Sequence, residues 1–362
     1  MAASLVDTYH YWGAEFISNF QRLVPNRGRF FMQVSAVGDP GLAFTLYFPL
    51  LLSVHTGVGV RLMWTLLFCE WSNMILKWVL AGDRPFWWIH ETTVYKGLPP
   101  PMYQFPITCE TGSGNPSGHA KLNAAMFYVL VSAFISMVVQ QSSRLSEKQK
   151  TWARRGLWTG YATWMVLVIL SRTYVAAHFP HQCIAGVAIG IGMALLVARM
   201  PVLEVMSRKQ YLALSATIIT TVLGVYFGLQ LGGWDALWSM EKAIKWCVRR
   251  EYIHLDTMPF YSFSRFSGVS LGLGMGLSSP WYKKANRCQV QLEDDGVAGS
   301  AESGHESGGR DGAPVPASLH GGTLPAQSSF STPTVTFVLV AVLPHLVRMA
   351  SRVPAGDKFK KN

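Results

Sequence analysis

The sequence predicts an all-α, polytopic membrane bundle, and three observations carry that expectation. Charged residues make up 14% of the chain against 50% apolar residues, whereas soluble domains carry about 25% charged residues. The apolar residues gather into blocks of roughly 18–25, the length that crosses a hydrocarbon core of about 30 Å. The net charge is +11, yet the basic residues lie in short loops between those blocks. That is the pattern of positive-inside topology rather than the stripe that nucleic acid requires, so nucleic acid is set aside as a partner and the lipid bilayer takes its place.

Taken in order, the first thirty residues are polar and interrupted by Asp7, Glu15 and Pro25. No cleavable signal peptide is read there, and the first span acts as the targeting signal. Spans are expected at 30–53, 59–80, 119–139, 156–171, 179–198, 211–231 and 259–279, the first carrying Gly38-Asp39-Pro40. An eighth, shorter apolar run at 332–347 contains Pro344 and His345, so about eight spans are visible. Gly, Ser, Ala, Pro, Glu and Asp dominate from about 289 to 331, the composition of a disordered linker. The expected organisation is a membrane-embedded domain over 1–284, a polar linker over 285–331, and a last apolar segment with a basic tail over 332–362.

Loop charge sets orientation. Arg144, Lys148, Lys150, Arg154 and Arg155 follow the third span, and Arg199, Arg208 and Lys209 follow the fifth. Excess Lys and Arg marks the cytoplasmic side. The loops at 81–118 and 232–258 carry balanced charge and are therefore expected in the lumen. The five cysteines form no CxxC or Cys/His cluster, so neither a disulfide framework nor a metal site is expected.

Three blocks place ionisable groups at the membrane edge, where they are functional candidates by default. In KWVLAGDRP (77–85), Glu70, Asn73, Lys77 and Arg84 fall three, four and seven residues apart, on one helix face; the plain alternative is that Lys77 and Arg84 snorkel to the interface. In PSGH (116–119), Ser117 and Gly118 begin a helix whose free N–H groups suit an anion, with His119 beside it as a proton donor. In SRTYVAAHFPHQ (171–182), Arg172 can bind phosphoryl oxygens and His178 can offer a neutral ring nitrogen as nucleophile. The alternatives are a helix cap and an aromatic interfacial belt. All three blocks nevertheless reach one membrane face, and together they make a set suited to phosphoryl transfer.

Lys, six residues and Arg-Pro, then PSGH, then Ser-Arg with five residues to His: this order resembles the phosphatidic-acid-phosphatase and vanadium-haloperoxidase superfamily. Within it, LKWVLAGDRPFWW, QFPITCETGSGNPSGHA, AAHFPHQ and IHLDTMPF resemble the glucose-6-phosphatase catalytic subunits over roughly 30–284. The resemblance implies nine spans and hydrolysis of glucose 6-phosphate in the endoplasmic-reticulum membrane at a lumenal site. It further implies His178 as nucleophile, His119 as acid and base, and Lys77, Arg84, Arg172, Ser117 and Gly118 as phosphoryl ligands, with no cofactor. A sugar-phosphate transporter is a candidate partner. Lipid-phosphate or polyprenyl-diphosphate hydrolysis and a non-catalytic transport or assembly role are the alternatives.

Two departures stand out. The superfamily's orienting Asp, four residues after the nucleophile, is Gln182 here, so Asp39 and Glu110 are candidates to orient His178 or to hold sugar hydroxyls. The position of the family's eighth span is taken by the polar linker, and the ending KFKKN fits a cytosolic dilysine retrieval signal.

Overall fold

A computed structural model describes residues 5–283. The expected linker at 285–331, the last apolar run and the basic tail at 332–362 lie outside the described residues. Helices dominate the described chain, whose β pairing is limited to an isolated bridge between Glu110 and His254.

The amino-terminal residues, read as polar and interrupted by Asp7, Glu15 and Pro25, form helix α1 (Leu5–Leu23). His10, Gly13, Ala14, Ile17 and Gln21 are buried along one side, the 3.6-residue stripe of an amphipathic helix. Gln21 fastens it by donating to the carbonyls of Tyr103 at 3.0 Å and Tyr174 at 2.6 Å.

The predicted first span is not continuous. It comprises α2 (Gly28–Val37), the single turn α3 (Pro40–Leu42), a π-helical turn (Ala43–Tyr47) and α4 (Phe48–Val54). Pro40 pushes Asp39 into an extended conformation, where its carboxylate caps the new turn by accepting from Gly41 N at 2.7 Å. Asp39 is thereby placed at a break in the helix rather than inside one.

Helix α5 (Thr56–Leu80) stops where Ala81 adopts a left-handed φ of 41°. Arg84 then precedes α6 (Pro85–Glu91), which begins on Pro85, the residue best suited to a first helical position. The chain continues through α7 (Gly118–Phe134), extended by a π-helical turn to Val139, then α8 (Glu147–Tyr174), α9 (Pro180–Ala198), α10 (Arg208–Leu231), α11 (Trp238–Trp246) and α12 (Pro259–Leu277). Among the described residues, Gly118–Val139, Pro180–Ala198 and Arg208–Leu231 are long and apolar enough to cross a membrane by themselves. Helices α5, α8 and α12 lie where further spans were expected.

Helices α7 and α9 form the closest-packed pair, and two glycines allow it. A Cβ on Gly186 would lie 2.6 Å from the Ser117 carbonyl, and one on Gly190 would collide with the Lys121 carbonyl. This small-xxx-small spacing brings membrane helices to backbone contact. It also sets the start of α7, with Ser117, directly against the start of α9.

The expectation of no disulfide is corrected: Cys109 and Cys247 are bonded, with their Cα atoms 5.9 Å apart. They are 138 residues apart in sequence, so no local spacing motif announces the pair. The bridge ties the loop before α7 to the end of α11, and from within α11 Lys242 reaches Glu91 at 2.8 Å and Asp83 at 3.3 Å.

Two outcomes are expected. Gly190→Leu should destabilise the protein by roughly 1–3 kcal/mol through overpacking, read as a lower unfolding temperature in detergent. Cys247→Ser should cost about 2–4 kcal/mol by the same measurement, and reductant should lower the parent's stability but not that of the variant.

Candidate active site

Four segments converge on one buried carboxylate. Glu110, in the loop before α7, places Oε2 2.9 Å from Arg84 Nη2 and pairs Oε1 with Arg172 Nη2. His178 Nε2 lies 3.7 Å from Oε2, and His119 Nδ1 lies 3.7 Å from Oε1. Arg84, Arg172 and His178 are all essentially inaccessible to solvent. Charges so deeply buried persist only when paired and hydrogen-bonded, and here two arginines share one acid.

Arg84 is held by backbone on several sides. Its Nε donates to the Gly112 carbonyl at 2.6 Å, Nη1 to Ala177 at 2.9 Å and Nη2 to Ser113 at 3.2 Å. It thus staples the loop before α7 to the loop after α8. Burial pulls its pKa down, while the Glu110 charge pulls it up. Arg172 donates from Nη1 to Ser35 Oγ at 2.7 Å, but its buried Nε has no hydrogen-bond partner among the described residues. That is one donor left for an incoming acceptor. Burial alone would raise the Glu110 pKa, but the Arg172 and Arg84 charges win and hold it well below the usual carboxylate value.

His178 sits in the tight turn joining α8 to α9. Ala176 takes a left-handed φ of 55°, and the Ala177 N–H returns to the Arg172 carbonyl at 3.1 Å. The ring's Nδ1 lies 2.8 Å from the Gly114 carbonyl. A carbonyl only accepts, so Nδ1 carries the proton and Nε2 keeps its lone pair. Nε2 faces the centre, 3.3 Å from Arg84 Nη1. Burial first and the Arg84 charge second push the His178 pKa down to about 3, which keeps the ring neutral.

A backbone carbonyl therefore holds Nδ1 of His178, while Glu110 lies against the other ring nitrogen, its Oε2 3.7 Å from Nε2. Gln182, where the superfamily has Asp, acts on the frame around that carbonyl. Its Nε2 donates to Asp83 O at 2.7 Å and its Oε1 accepts from Phe179 N at 3.2 Å. A Cβ on Gly114 would meet the Asp83 carbonyl at 2.5 Å and the Gln182 carboxamide at 2.8 Å, so only glycine fits between them.

The remaining candidates surround this core. Ser117 caps α7, its Oγ accepting from Ala120 N at 3.4 Å, while its N–H donates to the Gln182 carbonyl at 3.1 Å. Gly118 and His119 follow at the helix start, where N–H groups lack intrahelical acceptors. His119 is partly exposed and stands between Glu110 and Asp39, whose Oδ2 is 3.8 Å from its Nε2. Lys77 packs its ammonium near Gly112, 3.3 Å from where a Cβ would stand; it makes no ion pair among the described residues. All of the residues singled out from the sequence thus gather in one region. Sequence reasoning missed the Gly114 carbonyl and Ser35. Among the described residues, no three His, Cys, Asp or Glu side chains are grouped as metal ligands.

Residues 58–205 match the PAP2 superfamily model. The chain is 39% identical over 279 residues to glucose-6-phosphatase catalytic subunit 1 of Haplochromis nubilus, covering 77% of this chain and 79% of that protein. The chain belongs to the glucose-6-phosphatase catalytic subunit family. Human glucose-6-phosphatase 3 is 39% identical over 258 residues, covering 71% of this chain and 72% of that protein. Mouse glucose-6-phosphatase 2 is 37% identical over 287 residues, covering 78% and 80%. No solved structure matches the chain. The family accounts for the polytopic helical fold.

The site carries a pH dependence with a definite sign. Between about pH 6.5 and 3 the unfolded chain takes up a proton that native His178 refuses, so stability falls as pH drops through that window. Glu110 acts in the same direction at lower pH. Thermal melts should give a lower unfolding temperature at pH 5 than at pH 7.5, and His178→Gln should narrow the difference.

Proposed function

We propose that this enzyme hydrolyses glucose 6-phosphate to glucose and phosphate through a phosphohistidine at His178, with His119 as acid and then base. One observation carries the reading: the two arginines and two histidines are gathered around a single buried anion, the Glu110 carboxylate. A phosphoryl group offers the same kind of oxygens to the same donors. Glu110 thus balances the arginines until substrate oxygens replace it there.

The chemistry follows from the tautomer. His178 Nε2 attacks phosphorus in line with the leaving sugar oxygen, forming a P–N bond as the P–O bond breaks. His119 gives its proton to that oxygen and glucose departs. Water then attacks the phosphohistidine, His119 takes the water's proton, and the P–N bond breaks to release phosphate. Arg84, Arg172, Lys77 and the N–H groups at Ser117-Gly118 hold the equatorial oxygens, where fixed cations stabilise the developing charge. The unpartnered Nε of Arg172 supports that role.

We infer that the site faces the lumen of the endoplasmic reticulum, a reading the disulfide supports. The Cys109–Cys247 bridge joins the two loops of balanced charge, and disulfides persist in oxidising compartments. A lumenal site needs its dianionic substrate carried across the bilayer, so a sugar-phosphate transporter is the partner this topology requires. The sugar-phosphate specificity is preferred over a lipid-phosphate one because the relatives named above are glucose-6-phosphatases.

Labelled glucose 6-phosphate should leave label on His178 after rapid acid-free quenching; label on His119 or His181 would overturn the assignment. His119→Ala should lower kcat about 10²–10⁴-fold. Glu110→Gln should cost about 3–5 kcal/mol by leaving buried arginines unpaired. Inorganic phosphate should restore more stability to that variant than to the parent; equal stabilisation would contradict an exchange between carboxylate and phosphoryl group.

A further inference from the structure

Helix α1 presents three different sides. One is buried against the bundle through His10, Gly13, Ala14, Ile17 and Gln21. A second carries Leu5, Tyr9, Trp12, Phe16 and Leu23, at the steps of three, four and seven that share one helix face. It is exposed and uncharged, with Trp12 67% and Leu23 82% accessible. Between these two lies a third side, which holds all the charged residues of the helix, Asp7, Glu15 and Arg22. A helix packed between protein and water turns its polar side outward; α1 instead turns an aromatic stripe outward and keeps its charges at the flank. We propose that α1 lies in the plane of the membrane interface, with the stripe among lipid acyl chains and the charged side toward water.

Three observations identify lipid as the occupant. First, the stripe is built of Leu, Phe, Tyr and Trp, the residues with which interfacial helices enter the boundary between headgroups and chains. Second, it is continuous with helices expected to span the bilayer. The Tyr9 ring lies 6.0 Å from that of His181, at the start of α9, which is long and apolar enough to cross a membrane. Ile184, three residues further along α9, is also exposed. Toward the other end, Phe16 meets Phe20, and Phe20 meets Phe31 of α2 and Tyr174 of α8 at 5.5 and 5.2 Å. Third, the charge is complementary to lipid phosphates. Arg22, Arg27 and Arg29 are exposed, and no acidic residue occurs between Glu15 and Asp39.

The buried side of the same helix supports the site. His10 stacks on Phe179 with ring centroids 4.4 Å apart, and a Cβ on Gly13 would lie 2.7 Å from that phenyl ring. Phe179 follows His178 directly, so a helix seated in the bilayer braces the turn that carries the histidine.

The test places single nitroxide labels on the full-length protein in lipid nanodiscs, in a Cys288→Ser background; Cys69 and Cys183 are buried. Labels go separately at Trp12→Cys and Leu23→Cys on the stripe and at Ser18→Cys on the charged side. Leu23→Cys leaves the aromatic residues intact, so the measurement stands even where Trp12→Cys fails to fold. Collisions with oxygen, which concentrates in lipid, should exceed those with a water-soluble nickel chelate at 12 and 23, and the order should reverse at 18. Nickel dominance at either stripe position, or oxygen dominance at 18, would overturn the in-plane assignment. Dipolar broadening between labels would overturn it too, by giving the stripe to a second copy of the chain. The measurement reads no hydrolysis, so its outcome is independent of the functional reading above.

Discussion

The structure depends on one buried ionic cluster, Glu110 with Arg84 and Arg172. Two guanidinium groups and one carboxylate leave a net positive charge where solvent does not reach. Such a cluster is costly to desolvate and confers little stability for its own sake. Its value lies in geometry: each arginine also binds carbonyls or hydroxyls from other segments, so the charges act as fasteners. Arg84 joins the loop before α7 to the loop after α8, and Arg172 joins α8 to α2 through Ser35. The helix start that carries His119 and the turn that carries His178 are held in register by the same groups that would grip phosphate.

Around that cluster the scaffold is built to keep the loops rigid. The glycine contact of α9 on α7 sets the distance between Ser117 and the His178 turn, and the disulfide anchors the segment carrying Glu110. Helix α1 adds a third restraint, because His10 stacks on Phe179, the residue after His178, with ring centroids 4.4 Å apart. A site that works by electrostatic preorganisation requires this, since fixed dipoles stabilise a transition state only if they need not move.

Several features were legible from residue order alone. Apolar blocks located most of the long helices, and Pro and Gly placed the ends of α5 and the start of α6. Lys77, Arg84, Ser117, Gly118, His119, Arg172 and His178 could be named because local spacing put each on a recognisable helix end or turn. The break at Gly38-Asp39-Pro40 was visible, but its consequence, a span divided into pieces with Asp39 as a cap, needed the neighbours that tolerate it. The amphipathic α1 was hidden because its buried side carries His10, Gly13 and Gln21, which do not read as apolar.

By itself the sequence determined the helical membrane class, the family and the inventory of chemical groups, because hydropathy and short-range spacing are written in residue order. Only the tertiary structure decided that Glu110 pairs with both arginines, that Gly114 sets the tautomer of His178, and that Cys109 pairs with Cys247. Each of these joins groups from segments far apart in the chain, and one of them uses a backbone atom that every residue possesses. A backbone carbonyl has no letter in the sequence, so its role emerges only when folding brings it within hydrogen-bond reach.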